Sequence, residues 1–566
     1  MITKELVDES INIHRLVDYG DFDLAYQQSV IFLEKLEKIK VKGDNYFIVL
    51  GNVAGGLVDI GQMSKHKKAA ELGFKLMDNN KEALALVQGE SHFYYNYANA
   101  LSNKISVDNP HDHTFQSIEE LVSLKNIYWR AFRFSSQESE EFQAELSVNL
   151  ANSLRSQFRL SEALRYYDLT NRKGLDIPQS WVNRSAALIE LNLVSSSYSI
   201  KLLKEIRKGY INASVSKKIP PQWESFYLGR IAQTNDKIQK SVSAEGETDE
   251  HDDMLTQQEF GALSAYRQFC LVNHLTLSEH GLYCPCVGSA TDNLVISSSG
   301  GVTGDFIVPM EMALNRFKSE FSLARHLYFD YLYPQDTDAI KEECHFLELH
   351  NDEILGIDIE KIRTAFRLCF GILDKIAVCI CELHKVYPPA KKGGLQKNIY
   401  FQSFWQLDVD NRRQRFEDIK SPGLLALYSI ATDLNKNKGG ELAFYKEWRN
   451  GLEHKFLVVH KSDKAEDLYQ SYKLIKDILF IKEDEFIHHF DQLIQITRSA
   501  IFSFAFMVRH EGKKQKKENI PYITNELHMK KYSSEPHIRN LFAPSLSKRQ
   551  QAKRYVNTPA KLPIHY

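Results

Sequence analysis

The sequence predicts an all-α chain in two parts: an α-solenoid of degenerate helix hairpins, then a four-helix bundle. Three observations carry this. Apolar residues recur at helical spacing through most of the 566 residues, and strand-like alternation is rare. Small and large residues alternate near residues 150–167 in the way that paired helices need. Four long apolar-striped segments follow residue 309, separated by breaks rich in Pro, Gly and Asn.

Residues 1–213 read as helix after helix. In "LSVNLANSLRSQFRLSEALRYYDLTNR", Leu150-Ala151-x2-Leu154 fits the first helix of a tetratricopeptide-type hairpin and Ala163-x3-Tyr167 fits the second. Small residues let two helices cross closely and large ones fill the seam. Weaker echoes stand at Val53-Ala54-x2-Leu57, Tyr97-Ala98-x2-Leu101 and Arg184-Ser185-x2-Leu188. Their irregular intervals indicate three or four degenerate pairs, with an insertion near "SVDNPHDHT". A generic helical bundle is the alternative.

Residues 214–308 read as a linker and irregular connection. "IPPQW" interrupts the helical pattern, and "SAEGETDEHDD" is a polar acidic run without an apolar stripe. Residues 309–510 form the second unit, with helices expected at about 309–330, 359–386, 440–459 and 484–510. "PQDTD", "YPPAKKGG" and "NKNKGG" mark the breaks. Residues 511–566 form a basic tail with interleaved aromatics. Its leading lysines, Lys513, Lys514, Lys516 and Lys517, are candidates for holding a phosphate backbone. A solvated tail is the competing reading.

Acids and bases nearly cancel, at a formal net charge of −2, so no global field draws nucleic acid and any contact must be local. No long uncharged apolar run predicts a membrane span. The start, MITKELVDES, has no apolar signal core. The seven cysteines all lie at Cys270 or later, which fits free thiols in a reducing cytoplasm.

The stretch most able to carry chemistry is "GELAFYKEWRNGLEHKFLVVH", residues 440–460. On one helix, Phe444, Trp448, Leu452 and Phe456 form a buried stripe, and Glu447, Asn450, Gly451 and His454 fall on a polar one, where Gly451 clears space. Arg449 and His454, five residues apart, diverge by roughly 140°. They converge through the reach of Arg, a bend, or a second copy of the helix. RNA cleavage by its own 2′-hydroxyl suits these residue types. Histidine moves protons near neutral pH, arginine grips phosphate oxygens, and a neutral amide orients either. By spacing alone an exposed Arg449–Glu453 ion pair beside a solvated histidine competes, and Arg267 with His274 is a decoy. In "ILDKIAVCICEL", Asp374 and Lys375 interrupt an apolar helix, and a charge there needs a partner, Arg449 or His454 for Asp374.

An Arg, a polar residue and a following His, late in such a bundle, resemble the HEPN superfamily. "LDKIA" with "RNGLEH" behind a helical-repeat N-terminus resembles its bacterial branch with defence and toxin roles. The resemblance implies a metal-independent, cofactor-free endoribonuclease with two motifs facing across a homodimer. It makes Arg449 the phosphate ligand, His454 the acid/base and Asn450 the polar position. Asp374, Lys375, Glu447 and Glu453 support them. The helical repeats would receive a protein or ligand trigger. In a related branch a modifiable Tyr lies two residues after the His; here Phe456 stands there. A non-catalytic RNA- or protein-binding scaffold is the alternative.

The group His274, His280, Cys284 and Cys286, with Cys270 nearby, could hold zinc. The usual C-x2-C knuckle is absent, and a reduced, partly buried loop is the expectation. "CICELH" reads as core packing, and "SSSGGVTGD" has no phosphate-loop signature.

Overall fold

Small residues set the helix pairing at the N-terminus. Helix α3 (Asp44–Ser64) meets α4 (Lys67–Asn79) where Gly61 faces Ala70: a Cβ on Gly61 would lie 2.8 Å from that of Ala70. The computed structural model describes residues 2–517 apart from 109–112, 196–198, 220, 246–257, 285, 297–306, 335–343, 348, 350–351, 391–393, 395, 397, 410 and 462–477. "SSSGGVTGD", most of "SAEGETDEHDD" and the tail beyond 517 lie outside the described residues.

Packing divides the chain into two units that interleave in sequence. The first comprises residues 1–184, 212–225 and 428–443. Helices α1 (Lys4–Asp18), α2 (Phe22–Glu37), α3 and α4 lead into α5 (Lys81–Gln88) and α6 (Glu90–Asp108). Then α6 pairs with α7 (Phe115–Arg133), and α8 (Glu140–Ser156) with α9 (Leu160–Arg172). Caps fix several starts: Thr114 and Ser117 form a capping box on α7, and Ser139 caps α8. Leu150, Ala151, Leu154, Ala163 and Tyr167 are all buried at the α8/α9 hairpin. By length and composition α3 could span a membrane, but Val53, Ala54, Leu57 and Ile60 are fully buried, as in a core helix.

Residues 428–443 complete this unit. Asp433 is fully buried, with Lys125 Nζ 2.6 Å from Oδ1 and the Arg159 guanidinium on Oδ2. Arg159 also grips Glu162 through two hydrogen bonds of 2.8 and 2.6 Å. Two cations and two anions therefore close a buried, neutral cluster. The linear boundaries 1–213 and 309–510 differ from this division, because packing assigns 428–443 to the first unit and 185–211 to the second.

The second unit is built on three long helices. These are α14 (Ile307–Leu332), α15 (Ile357–His384) and α19 (Glu483–Lys517), and each packs on the other two. Arg325 pairs with Asp292 through two 2.9 Å bonds, tying α14 to the irregular chain after α13 (Ala265–Val272). Helices α10 (Pro178–Val194) and α11 (Ile200–Ser214) follow α9 in the chain, and the expected linker contains a further long helix, α12 (Pro221–Glu245). Two more helices went unpredicted, α16 (Arg412–Asp418) and α17 (Pro422–Asp433).

The fold is all-α, with one small exception that corrects the expected helix 440–459. That helix, α18, spans only Tyr445–His454. Phe456–His460 (β1) then pairs in parallel with Ile478–Lys482 (β2). "FLVVH" is a short apolar run with adjacent β-branched residues, which favours a strand. The predicted stripe changes accordingly. Tyr445 is fully buried and Phe456 is 57% exposed. Gly451 does not clear a polar face: it is buried against β1 and β2, where a Cβ would lie 3.2 Å from both Leu457 and Leu479.

Candidate functional site

Aromatic packing seats α18. Tyr445 donates its hydroxyl to the His489 carbonyl at 2.7 Å, and Trp448 lies against Phe366 and Phe486. This anchors one side of α18 to α15 and α19 and turns Arg449 toward α15.

Arg449 is then held on several sides. Its guanidinium lies 3.0 Å from Asp374 Oδ2, and its centre sits 5.9 Å from the Phe370 ring and 5.8 Å from that of Tyr400. Rings at this distance stabilise a cation through their faces. Asp374 Oδ1 also accepts from the Phe401 backbone N–H at 2.8 Å. Burial pushes the Asp374 carboxyl above its ordinary range, and the Phe401 N–H and Arg449 pull it back only in part. The sequence signal for Asp374 was a charge inside an apolar helix. Tyr400 and Phe401 carried no such signal, since they lie in irregular chain.

His454 closes α18 and leaves 72% of its side chain exposed. Glu453 stands between the two motif residues, 3.9 Å from Arg449 Nε and 3.7 Å from His454 Nε2. At these distances the contacts are electrostatic, not hydrogen bonds. Asn450 and Glu447 are exposed on the same short helix. Chemically, the arrangement offers a fixed cation, an adjacent carboxylate and a solvent-facing imidazole.

Lys375 falls elsewhere. It bonds Glu320 at 2.7 Å, and Glu320 also takes Arg316, so Lys375 faces α14 and is no support for Arg449. The decoy resolves structurally: Arg267 donates to the Ala290 carbonyl at 2.6 Å and His274 is buried. Lys513 and Lys514 are exposed on the last turns of α19, and Lys516 and Lys517 are helical, so the basic stretch begins inside the helix instead of in a tail. Lys513 also reaches the Leu193 carbonyl at 3.2 Å. In "CICELH", Cys381 is fully buried and burial pushes its thiol up to about 12, as core packing implies. His280, Cys284 and Cys286 come together, with their ligand atoms all within 4.8 Å of one another; His274 does not join them.

Bundle, motif helix and comparison agree on the class of this region: it is a HEPN-superfamily domain. Residues 302–511 match the family model described as LA2681-like HEPN. No curated protein matches the chain.

Proposed function

We propose that the chain is a metal-independent endoribonuclease of HEPN type, a cytoplasmic defence or toxin effector that cuts RNA between two copies of α18. The observation that carries this reading is Arg449, clamped by Asp374 and two ring faces, on the same short helix as an exposed His454 five residues on. Arg449 holds the scissile phosphate and offsets charge as the 2′-oxygen attacks phosphorus. One imidazole accepts the 2′-hydroxyl proton as the 2′-oxygen bonds to phosphorus, the P–O5′ bond breaks, and a protonated imidazole gives its proton to the leaving 5′-oxygen. A copy of the motif has one such histidine, so two copies supply both proton transfers. Asn450 orients the substrate, and Lys513 and Lys514 lend local positive charge. The N-terminal helices receive the trigger.

The test is cleavage of RNA by purified protein. Arg449→Ala and His454→Ala each abolish it while the helical content stays that of the wild type. Full activity in the double variant sinks the proposal. The scaffold alternative draws on the Arg449–Asp374 pair as a purely structural bridge. It predicts RNA or partner binding without cleavage, and expression toxicity indifferent to His454.

A further inference from the structure

Outside α15 and α18, the residues His280, Cys284 and Cys286 form a second chemical cluster. We propose that these three side chains hold a zinc ion.

The local chain is shaped for it. A 3-10 turn at His280–Leu282 and another at Val287–Ser289 stand on either side of Cys284 and Cys286. The Cys284 N–H donates to the His280 carbonyl at 3.0 Å, and the Ser289 N–H and hydroxyl donate to the Cys286 carbonyl at 2.9 and 2.6 Å. These bonds bring two sulfurs to one imidazole. Tetrahedral zinc spaces such ligands about 3.6–3.8 Å apart. The observed limit of 4.8 Å therefore leaves roughly an ångström of side-chain adjustment.

The two imidazole nitrogens of His280 stand in different environments. Nδ1 lies 3.1 Å from the Tyr283 hydroxyl, which orients the ring. Nε2 is buried and makes no hydrogen bond, and Cys286 lies close to the ring. A ring held at one nitrogen and left open at the other is the arrangement that metal-binding histidines use. The nearest carboxylate in sequence, Glu279, is already engaged by Arg509 at 2.5 Å and by the Ser195 hydroxyl, so it does not compensate the site.

Charge also favours this occupant. Both cysteines are buried. Zinc binding releases the two thiol protons to solvent, and two thiolates with a neutral imidazole make the dication's site neutral. One nitrogen and two sulfurs suit a borderline-soft ion over a hard one. Among the described residues no fourth His, Cys, Asp or Glu joins the three, so water takes the remaining position. Zinc so placed cross-links the two 3-10 turns of this loop.

Full-length protein, loaded with zinc and then desalted, tests this by metal content. One zinc per chain is expected for the wild type, and none in a His280→Ala/Cys284→Ser/Cys286→Ser variant. Cobalt substitution should give thiolate charge-transfer absorption that the variant lacks. If the triple variant fails to fold, His280→Gln alone serves; it should weaken zinc binding at least about tenfold. Wild-type protein that retains no zinc while both thiols react freely overturns the site. So does equal zinc retention in the variants.

Discussion

At the residue scale, Asp374 and Arg449 are one unit. Replacing Arg449 by Ala removes the proposed phosphate ligand and also strands a largely buried carboxylate. The double variant Arg449→Ala/Asp374→Asn removes both charges and separates the two effects. Its cleavage should be lost as in Arg449→Ala, since removing a charge-stabilising group costs at least about 10²–10³-fold. Its melting temperature should stay above that of Arg449→Ala. Asp374 also predicts a pH signature. Its folded pKa is raised, so the folded chain binds this proton more tightly than the unfolded chain. Its contribution to stability therefore falls as pH rises from about 4, the unfolded value, through the raised one. Denaturant melts across that window should show the wild type losing ground to Asp374→Asn as pH rises. Parallel curves would contradict the assignment. Asp374 was legible as a charge on an apolar helix, and Arg449 and His454 as a motif. Lys375 shared the first signal but turned to Glu320, because adjacent residues on a helix face different neighbours.

At the element scale, close approach decides the fold. Gly423 on α17 lies against α19, where a Cβ would stand 2.3 Å from the Ser503 carbonyl oxygen and 2.5 Å from the Met507 nitrogen. Both are backbone atoms and cannot swing aside. Alanine's helix preference, worth about 1 kcal/mol over glycine, loses to overpacking of about 1–3 kcal/mol or more. Gly423→Ala should therefore lower stability in urea melts, and a stabilised variant would contradict the packing described. The helices α14, α15 and α19 were readable because each carries an apolar stripe. Helix α17, "PGLLALYSIATD", was not: it is apolar on nearly every side and has no period to read. The strand β1 was absorbed into the preceding helix because Phe456 continues the four-residue spacing of Phe444, Trp448 and Leu452. The adjacent Val458 and Val459 were the signal against it.

At the scale of the whole molecule, sequence order and packing diverge. Asp433 lies 274 residues from Arg159 and 308 from Lys125, and no local pattern announces either partner. Burial opposes the Asp433 charge, but Lys125 and Arg159 outweigh it and hold the carboxyl below its ordinary range. Its stabilising contribution is thus fully present above about 3.9 and is lost as pH falls through the depressed value. Asp433→Ala leaves two buried cations short of an anion and should cost about 3–5 kcal/mol at neutral pH. An unchanged melt would show the cluster to be energetically idle. The same segment runs on through Ala443 into Phe444 and α18, so the helix bearing the motif is covalently continuous with residues that complete the N-terminal unit.

The proposal that two copies supply the two proton transfers stands or falls with His454 and Arg449. The most direct measurement mixes the two single variants, His454→Ala and Arg449→Ala, each verified as folded, and follows RNA cleavage against protein concentration. The account predicts that wild-type cleavage steepens with concentration as copies pair, and that each single variant and their mixture are inactive, since a mixed pair carries one His454 for two proton transfers. Wild-type rates in either variant, or in their mixture, would contradict it.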